Sequence, residues 1–223
     1  TSRDYATGVA LGQGTQSRVN APGWFTGDLT VERAFGRHKI AFGANANAYQ
    51  TSTDSFATTN WEAATSPTYS TSTYGKTSLW GLWGEDAIDL GSSWILTGGI
   101  RFDGWRAYDG GIAKLYSAAR KDDRYPTRTD NSFSPKLSLQ GELTDALAIQ
   151  MSLGTAKRFP TVGELYQGRF DDISQAIDPQ SYDPDLRAER SQDANLILRH
   201  RSSKAQTTLS LFYQNIKDAI FSF

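Results

Sequence analysis

A chain of 223 residues is long enough for one or two soluble domains, yet 38% hydrophobic and 21% charged residues leave an ordinary core of that size thin. The absence of Cys excludes disulfide frameworks and thiolate metal sites, and a net charge of −1 argues against a nucleic-acid-binding surface. No apolar run approaches the roughly 20 residues of a membrane helix and there is no N-terminal signal pattern, so the chain reads as mature, truncated or internal. A transmembrane β-barrel passes all of these filters, because its lumen-facing polar residues dilute the average hydropathy, and 12% aromatic residues with 20 Gly suit β-structure.

The strands announce themselves by two-residue alternation. After the tight turn "FGRH" at 35 to 38, Ile40, Phe42, Ala44, Ala46 and Ala48 oppose Lys39, Asn45, Asn47 and Tyr49. After "LGSS" at 90 to 93, Trp94, Leu96, Ile100 and Phe102 oppose Thr97, Arg101 and Asp103, with Ile95 as the exception. In "FSPKLSLQGEL", Phe133, Leu137, Leu139 and Leu143 oppose Ser134, Lys136, Ser138, Gln140 and Glu142. Past "LTDA" at 143 to 146, Leu147, Ile149, Met151 and Leu153 oppose Ala148, Gln150, Ser152 and Gly154, and the strand then runs into Lys157, Arg158 and Phe159. Ala194, Leu196 and Leu198 oppose Asp193, Asn195 and Arg199, and "SSK" at 202 to 204 turns into Leu209, Leu211 and Tyr213.

Between these hairpin-type turns lie polar links at about 51 to 76, 107 to 131 and 159 to 190. Short and long connections alternate, so the short turns gather at one end of the sheet and the long links at the other. This predicts an all-β fold, an antiparallel transmembrane β-barrel portion with short periplasmic turns and long extracellular loops. A soluble β-sandwich, as in a secreted binding protein, also alternates, but has no reason to sort loop lengths by end. A passive porin shares the asymmetry. Turns near Arg37, Ser92, Asp145 and Ser203 are expected on the periplasmic side, and links near Asp54, Arg120 and Asp172 outside. Arg33 and Asp86 fall on apolar faces close to the short-turn end, where headgroups tolerate a charge. Asn215 and Lys217 break the last strand's parity, so that strand has either left the membrane there or been reset by a bulge.

Three segments together resemble the TonB-dependent outer-membrane receptors. They are "FSPKLSLQGELTDALAIQMSLGTAKRFPTVGELYQG", "DPDLRAERSQDANLILRHR" and "LSLFYQNIKDAIFSF", with "LWGEDAIDLGSSWILTGGIRFDGW" similar to an earlier hairpin of the family. The likeness covers roughly residues 76 to 223, and departs from the family pattern at Asp183, where Asn is usual, and Ala188, where Pro is usual. It implies about nine strands of a barrel of about 22, with residues 1–223 forming one partial barrel and the plug domain expected elsewhere. Phe223 resembles the C-terminal aromatic of outer-membrane proteins, but its strand resembles one from mid-barrel. The resemblance further implies active uptake of a scarce bulky ligand, most often a ferric siderophore, powered by the TonB complex acting through the plug. It implies neither cofactor nor catalysis. Outer-membrane lipid and lipopolysaccharide are the implied surroundings, in a Gram-negative outer membrane.

There is no nucleophile elbow, phosphate loop or His-Glu-x-x-His. His38 and His200, near short turns, read as solvated imidazoles, and no metal site is expected. The acidic run containing Asp171, Asp172, Asp178, Asp183, Asp185 and Glu189 lacks calcium-loop spacing and reads as a solvated loop. Lumen-side Arg101, Asp103, Lys136, Glu142 and Arg199 read as charge ladders across strands or contacts to the plug. The candidates for ligand capture are Arg120, Arg124, Tyr125 and Arg128 on one link and Arg158, Phe159, Tyr166 and Arg169 on the next. Guanidinium forks and aromatic faces suit an anionic, partly apolar ligand, if the two links converge. Lipopolysaccharide phosphates, or Asp122, Asp123 and Asp171, are the competing partners for these arginines.

Overall fold

The computed structural model describes residues 4–8, 12–63, 67–117, 119–166, 168–178, 180–182 and 186–220. Asp183, Asp185 and Phe223 lie outside these described residues. Ten strands form one antiparallel sheet: β1 (Asp4–Gly8), β2 (Gly14–Phe35), β3 (His38–Thr58), β4 (Thr68–Gly91), β5 (Trp94–Tyr116), β6 (Ala119–Arg124), β7 (Arg128–Thr144), β8 (Leu147–Arg158), β9 (Glu189–Arg201) and β10 (Gln206–Lys217). Between β8 and β9 sits one short helix, α1 (Val162–Leu165). The strands follow chain order across the sheet except β6, which folds back along the end of β5.

All four predicted hairpin turns are present and lie at one end of the sheet. Gly36, at φ +55°, supplies the left-handed backbone that the first of them needs. The alternation also holds: Leu139 pairs with Leu96 on one side and Met151 on the other, and Leu153 pairs with Ala194, so apolar side chains share one face across four strands. The polar face carries the predicted ladders. Arg101 Nη2 donates to Asn45 Oδ1 at 2.6 Å and lies 2.5 Å from Asp103 Oδ1, and Ser132 Oγ donates to Asp103 Oδ2 at 3.1 Å. Lys136 reaches across Gly99 to pair with Glu85.

The polar links at 51 to 76 and 107 to 131 differ from expectation, because most of their length is strand. β4 has 24 residues and β5 has 23, whereas a tilted strand crosses hydrocarbon in about 9–11. More than half of each strand therefore stands clear of the apolar band as a hairpin arm. Ser and Thr keep such an arm paired without alternation, which is why the sequence shows no period there. A bulge sits in the arm, where Tyr74 pairs with Gly111 and Lys76 with Tyr108, and Asp109 takes φ +52°. The extra residue flips the parity of β5 beyond it.

Two expectations at the edges resolve. The β9–β10 register runs without a shift to Lys217–Arg190, so no bulge against β9 resets the strand at Asn215 and Lys217. At the short-turn end, Asp86 meets His38, whose Nδ1 lies 2.7 Å from Asp86 Oδ2, and Arg33 stacks 4.8 Å over Phe35. The β7–β8 ladder stops at Lys136–Gly154, one residue short of Pro135, which has no N–H to donate. Past that point Lys157 fills the gap, its Nζ 2.6 Å from Asp130 Oδ2 and donating to the Asn131 carbonyl at 2.7 Å.

Candidate ligand-facing site in the lumen wall

The β8–β9 link folds onto the polar face of the sheet. Its first turn is made by "TVGE", in which Thr161 accepts from the Glu164 backbone N–H at 3.3 Å while Glu164 Oε2 accepts from the Thr161 N–H at 2.7 Å. This reciprocal box caps α1. Arg158 Nη1 donates to Glu164 Oε1 at 3.0 Å, tying the end of β8 to the helix it precedes. Burial raises the Glu164 carboxyl, but the Thr161 backbone N–H, Arg158 and the Thr161 hydroxyl outweigh it and hold the group below its ordinary value of 4.5.

So capped, α1 points Val162, Leu165 and Tyr166 at the wall, where they meet Trp105 and Ala107 in a small apolar core flanked by Leu79, Tyr125, Phe159 and Leu186. Tyr166 lies flat over Gly75 and Gly110, and a Cβ on either glycine would occupy the space of its ring. Tyr125 stacks on Tyr166 at 5.1 Å and meets Tyr182 edge-on at 5.2 Å. Burial, with smaller help from Tyr182, pushes the Tyr125 hydroxyl up to about 12, and burial raises Tyr166 as well. Arg128 Nη2 donates to the Leu186 carbonyl at 2.6 Å, pinning the chain as it returns to β9.

Beneath this strap the wall and the loop enclose a cleft of about 730 Å³. Trp105 and Phe159, stacked 5.6 Å apart and nearly parallel, form one side. Arg101, Asp103, Lys157 and Arg158 line the rest, with Tyr49 and Asn47 at the far wall. The aromatic slab stands beside three cations, each paired with a carboxylate, Arg101 with Asp103, Lys157 with Asp130 and Arg158 with Glu164, so a partly apolar anion bound here would share those cations with their partners. Lys157 Nζ also lies 5.2 Å over the Phe159 ring. The apolar grooves among Leu137, Leu153 and Tyr213 lie on the opposite, apolar face of the sheet, away from this cleft.

The structure gathers five of the eight predicted candidates and separates the other three. Tyr125, Arg128, Phe159 and Tyr166 come together around the apolar core, and Arg158 joins them at the cleft mouth. Arg169 stands well exposed on the loop, its Nη2 3.3 Å from Asp178 Oδ2. Arg120 and Arg124 pair with Leu115 and Gly111 and point away from the loop, while Lys121, between them, points toward it and donates to the Gln175 carbonyl. Trp105 was not among the candidates. Its parity with Arg101 and Asp103 placed it on the lumen face and was the available signal. The Asp171 carboxylate accepts the Ser174 and Ile173 backbone N–H groups, which hold it below its ordinary range. Among the described residues no group of His, Asp and Glu is arranged to hold a metal ion.

A family model described as TonB dependent receptor-like, beta-barrel, matches residues 1–223. No curated protein matches the sequence. Among solved structures the chain is similar to the copper transporter OprC, at 16% identity over 92% of this chain and 31% of that one with a TM-score of 0.64. It is similar to the ferric yersiniabactin uptake receptor FyuA from Yersinia pestis, at 16% identity over 98% of this chain and 32% of that one with a TM-score of 0.64. It is also similar to the ferric citrate transporter FecA, at 17% identity over 99% of this chain and 31% of that one with a TM-score of 0.60. At such identities the likeness is one of fold, and the chain spans about a third of the length of these structures.

Proposed function

The chain belongs to the TonB-dependent receptor β-barrel family, and from that premise we propose that it is part of the wall of an outer-membrane active transporter that takes up a bulky anionic metal chelate of the ferric-siderophore type. The family match over residues 1–223 carries this reading. The cleft chemistry supports the ligand class, since guanidinium and ammonium groups next to a stacked aromatic pair suit carboxylate- or catecholate-rich chelates. Two of the structures with the same fold bear names stating ferric yersiniabactin and ferric citrate as cargo.

In this reading the wall performs no covalent chemistry. Arg158, Phe159 and Arg169 touch the ligand, and Tyr125, Arg128 and Tyr166 hold the loop that presents them. The plug domain and its contact with the TonB complex belong to the rest of the receptor. The test is uptake of radiolabelled ferric chelates by cells carrying the full-length receptor, with and without TonB. Accumulation that requires TonB and falls in an Arg158→Ala, Arg169→Ala double variant at unchanged receptor level supports the reading. Accumulation independent of TonB makes the protein a passive channel.

A further inference from the structure

Two cavities stand back to back where the β7–β8 ladder ends. On the polar face the ligand cleft continues past Arg101, Asp103 and Lys157 into a second cleft of about 500 Å³, bounded on this side by Ser134, Lys136, Thr155 and Ala156. On the opposite, apolar face a groove of about 380 Å³ runs among Leu137, Leu153, Ala194 and Tyr213 and ends on Pro135 and Thr155. Lys136 and Thr155 line both cavities. The cause is local. Lys136–Gly154 is the last pairing, Pro135 has no N–H to extend it, and from Pro135 and Thr155 upward no backbone ladder separates the two faces.

Lys157 fills the gap. Strand parity groups it with Leu153 and Thr155 on the apolar side, yet its Nζ lies 2.6 Å from Asp130 Oδ2, and Asp130 pairs with Trp105 of the polar face. Its ammonium also donates to the Asn131 carbonyl at 2.7 Å, and the side chain is nine-tenths buried. A stem of methylenes therefore threads the parted strands, held at its tip by Asp130 and Asn131. That stem has the cross-section of an alkyl chain. An anion in the cleft competes with Asp130 for the ammonium, and when Lys157 turns toward it the vacated space accepts a hydrocarbon chain without either strand moving.

We propose that the cargo is an amphiphilic chelate whose anionic head lies against Trp105 and Phe159 and draws Lys157 from Asp130, and whose acyl tail passes between Pro135 and Thr155 into the apolar groove. The proposal rests on the chelate-uptake reading above and narrows its substrate class. Head and tail need surfaces of opposite character joined by an opening. The cleft supplies cations beside an aromatic slab, the groove supplies Leu137, Leu153 and Tyr213, and the end of the ladder joins them.

The probes are a ferric tris-catecholate carrying a dodecanoyl tail and the same chelate carrying an acetyl group, bound to the full-length receptor in phosphatidylcholine nanodiscs. The tailed form should bind at least about tenfold more tightly, a gain that burial of two methylenes supplies. Ser134→Cys with Ala156→Cys, the positions that continue the Lys136–Gly154 register, gives a bridge that closes the gap, and these 223 residues contain no other Cys. Oxidation should erase the difference between the two chelates, and reduction should restore it. Where the pair does not oxidise or the variant does not fold, as judged by heat-modifiable gel mobility, Thr155→Trp fills the gap from the groove and carries the same test. A difference that survives closure places the tail in the bilayer and overturns the proposal, as does equal binding of the two chelates by the open receptor. Failure of both chelates to bind would sink the chelate reading and this inference together, whereas a tail effect indifferent to the bridge sinks this inference alone.

Discussion

The two halves of the sheet wear their polarity in opposite directions. In the band around Leu139, Met151 and Leu196, apolar side chains face outward and the Arg101–Asp103 and Lys136–Glu85 pairs face inward. In the arm above, Trp105 and Ala107 turn inward to meet Val162 and Tyr166 of the loop, and Arg106, Arg120 and Arg124 turn outward. The backbone is the same continuous ladder in both. What changes is the solvent outside it: hydrocarbon demands an apolar exterior, and water returns the hydrophobic effect to its ordinary direction, so the arm builds a small conventional core against its own loop.

That contrast is breakable at both levels. The largest effect is expected at Tyr166, because its ring fills the cradle over Gly75 and Gly110; Tyr166→Ala should cost about 3–5 kcal/mol of loop docking. Hydrogen exchange at residues 162–166 of the full-length receptor would show it, and unchanged protection would mean that the loop is held by something other than its apolar core. In the band, Leu139→Arg should cost about 2–4 kcal/mol of folding stability in bilayers, and Ser138→Arg on the opposite face much less. Equal losses in denaturant titrations would deny that one face meets hydrocarbon. Thr161→Ala, which removes the cap of α1, should cost about 1 kcal/mol of loop docking by the same exchange measurement.

The smallest effect is a pH window. Glu164 is held below its ordinary value, so its contribution is present above that value and is lost as the pH falls through the depressed one. Tyr125 is raised, so its contribution is intact below 10 and is lost as the pH climbs toward about 12. Tyr182–Tyr125 contact, followed by tyrosine fluorescence or exchange, should therefore stay level through neutrality and fall at both edges. Loosening of the loop near pH 7 would contradict both assignments.

The membrane-level half of the molecule was legible in the sequence because lipid imposes a strict rule on alternate residues. The turns at 35 to 38, 90 to 93, 143 to 146 and 202 to 204 and the shared apolar face of Leu137, Leu139, Ile149 and Met151 could be read from order alone, whereas the His38 partner of Asp86 could not. The arm was not legible, since Ser- and Thr-rich strands with water on one side and a loop on the other carry no period. Nor does any residue pattern announce the bulge at Asp109, which sends Arg124 outward and Lys121 inward. One signal was there to be used: Thr161-x-x-Glu164 ahead of Leu165 spells a helix start. With α1 in place, Tyr166 needed a flat partner, and the Gly75 and Gly110 pair is the kind of surface that accepts one.

The early end of the β7–β8 ladder has a mechanical meaning. Backbone bonds in a ladder resist shear together, whereas above Lys136 and Gly154 the wall is fastened, among the described residues, by the Lys157 ammonium on Asp130 and Asn131. The sheet is therefore two panels, β1 to β7 and β8 to β10, joined by the ladder below and by side chains above, where Lys157 holds Asp130, Arg128 holds the Leu186 carbonyl and the α1 core rests on Trp105 and Ala107. A pull on the β8–β9 loop therefore loads these side-chain contacts before it strains any ladder, and the first backbone pairing it meets is Lys136–Gly154.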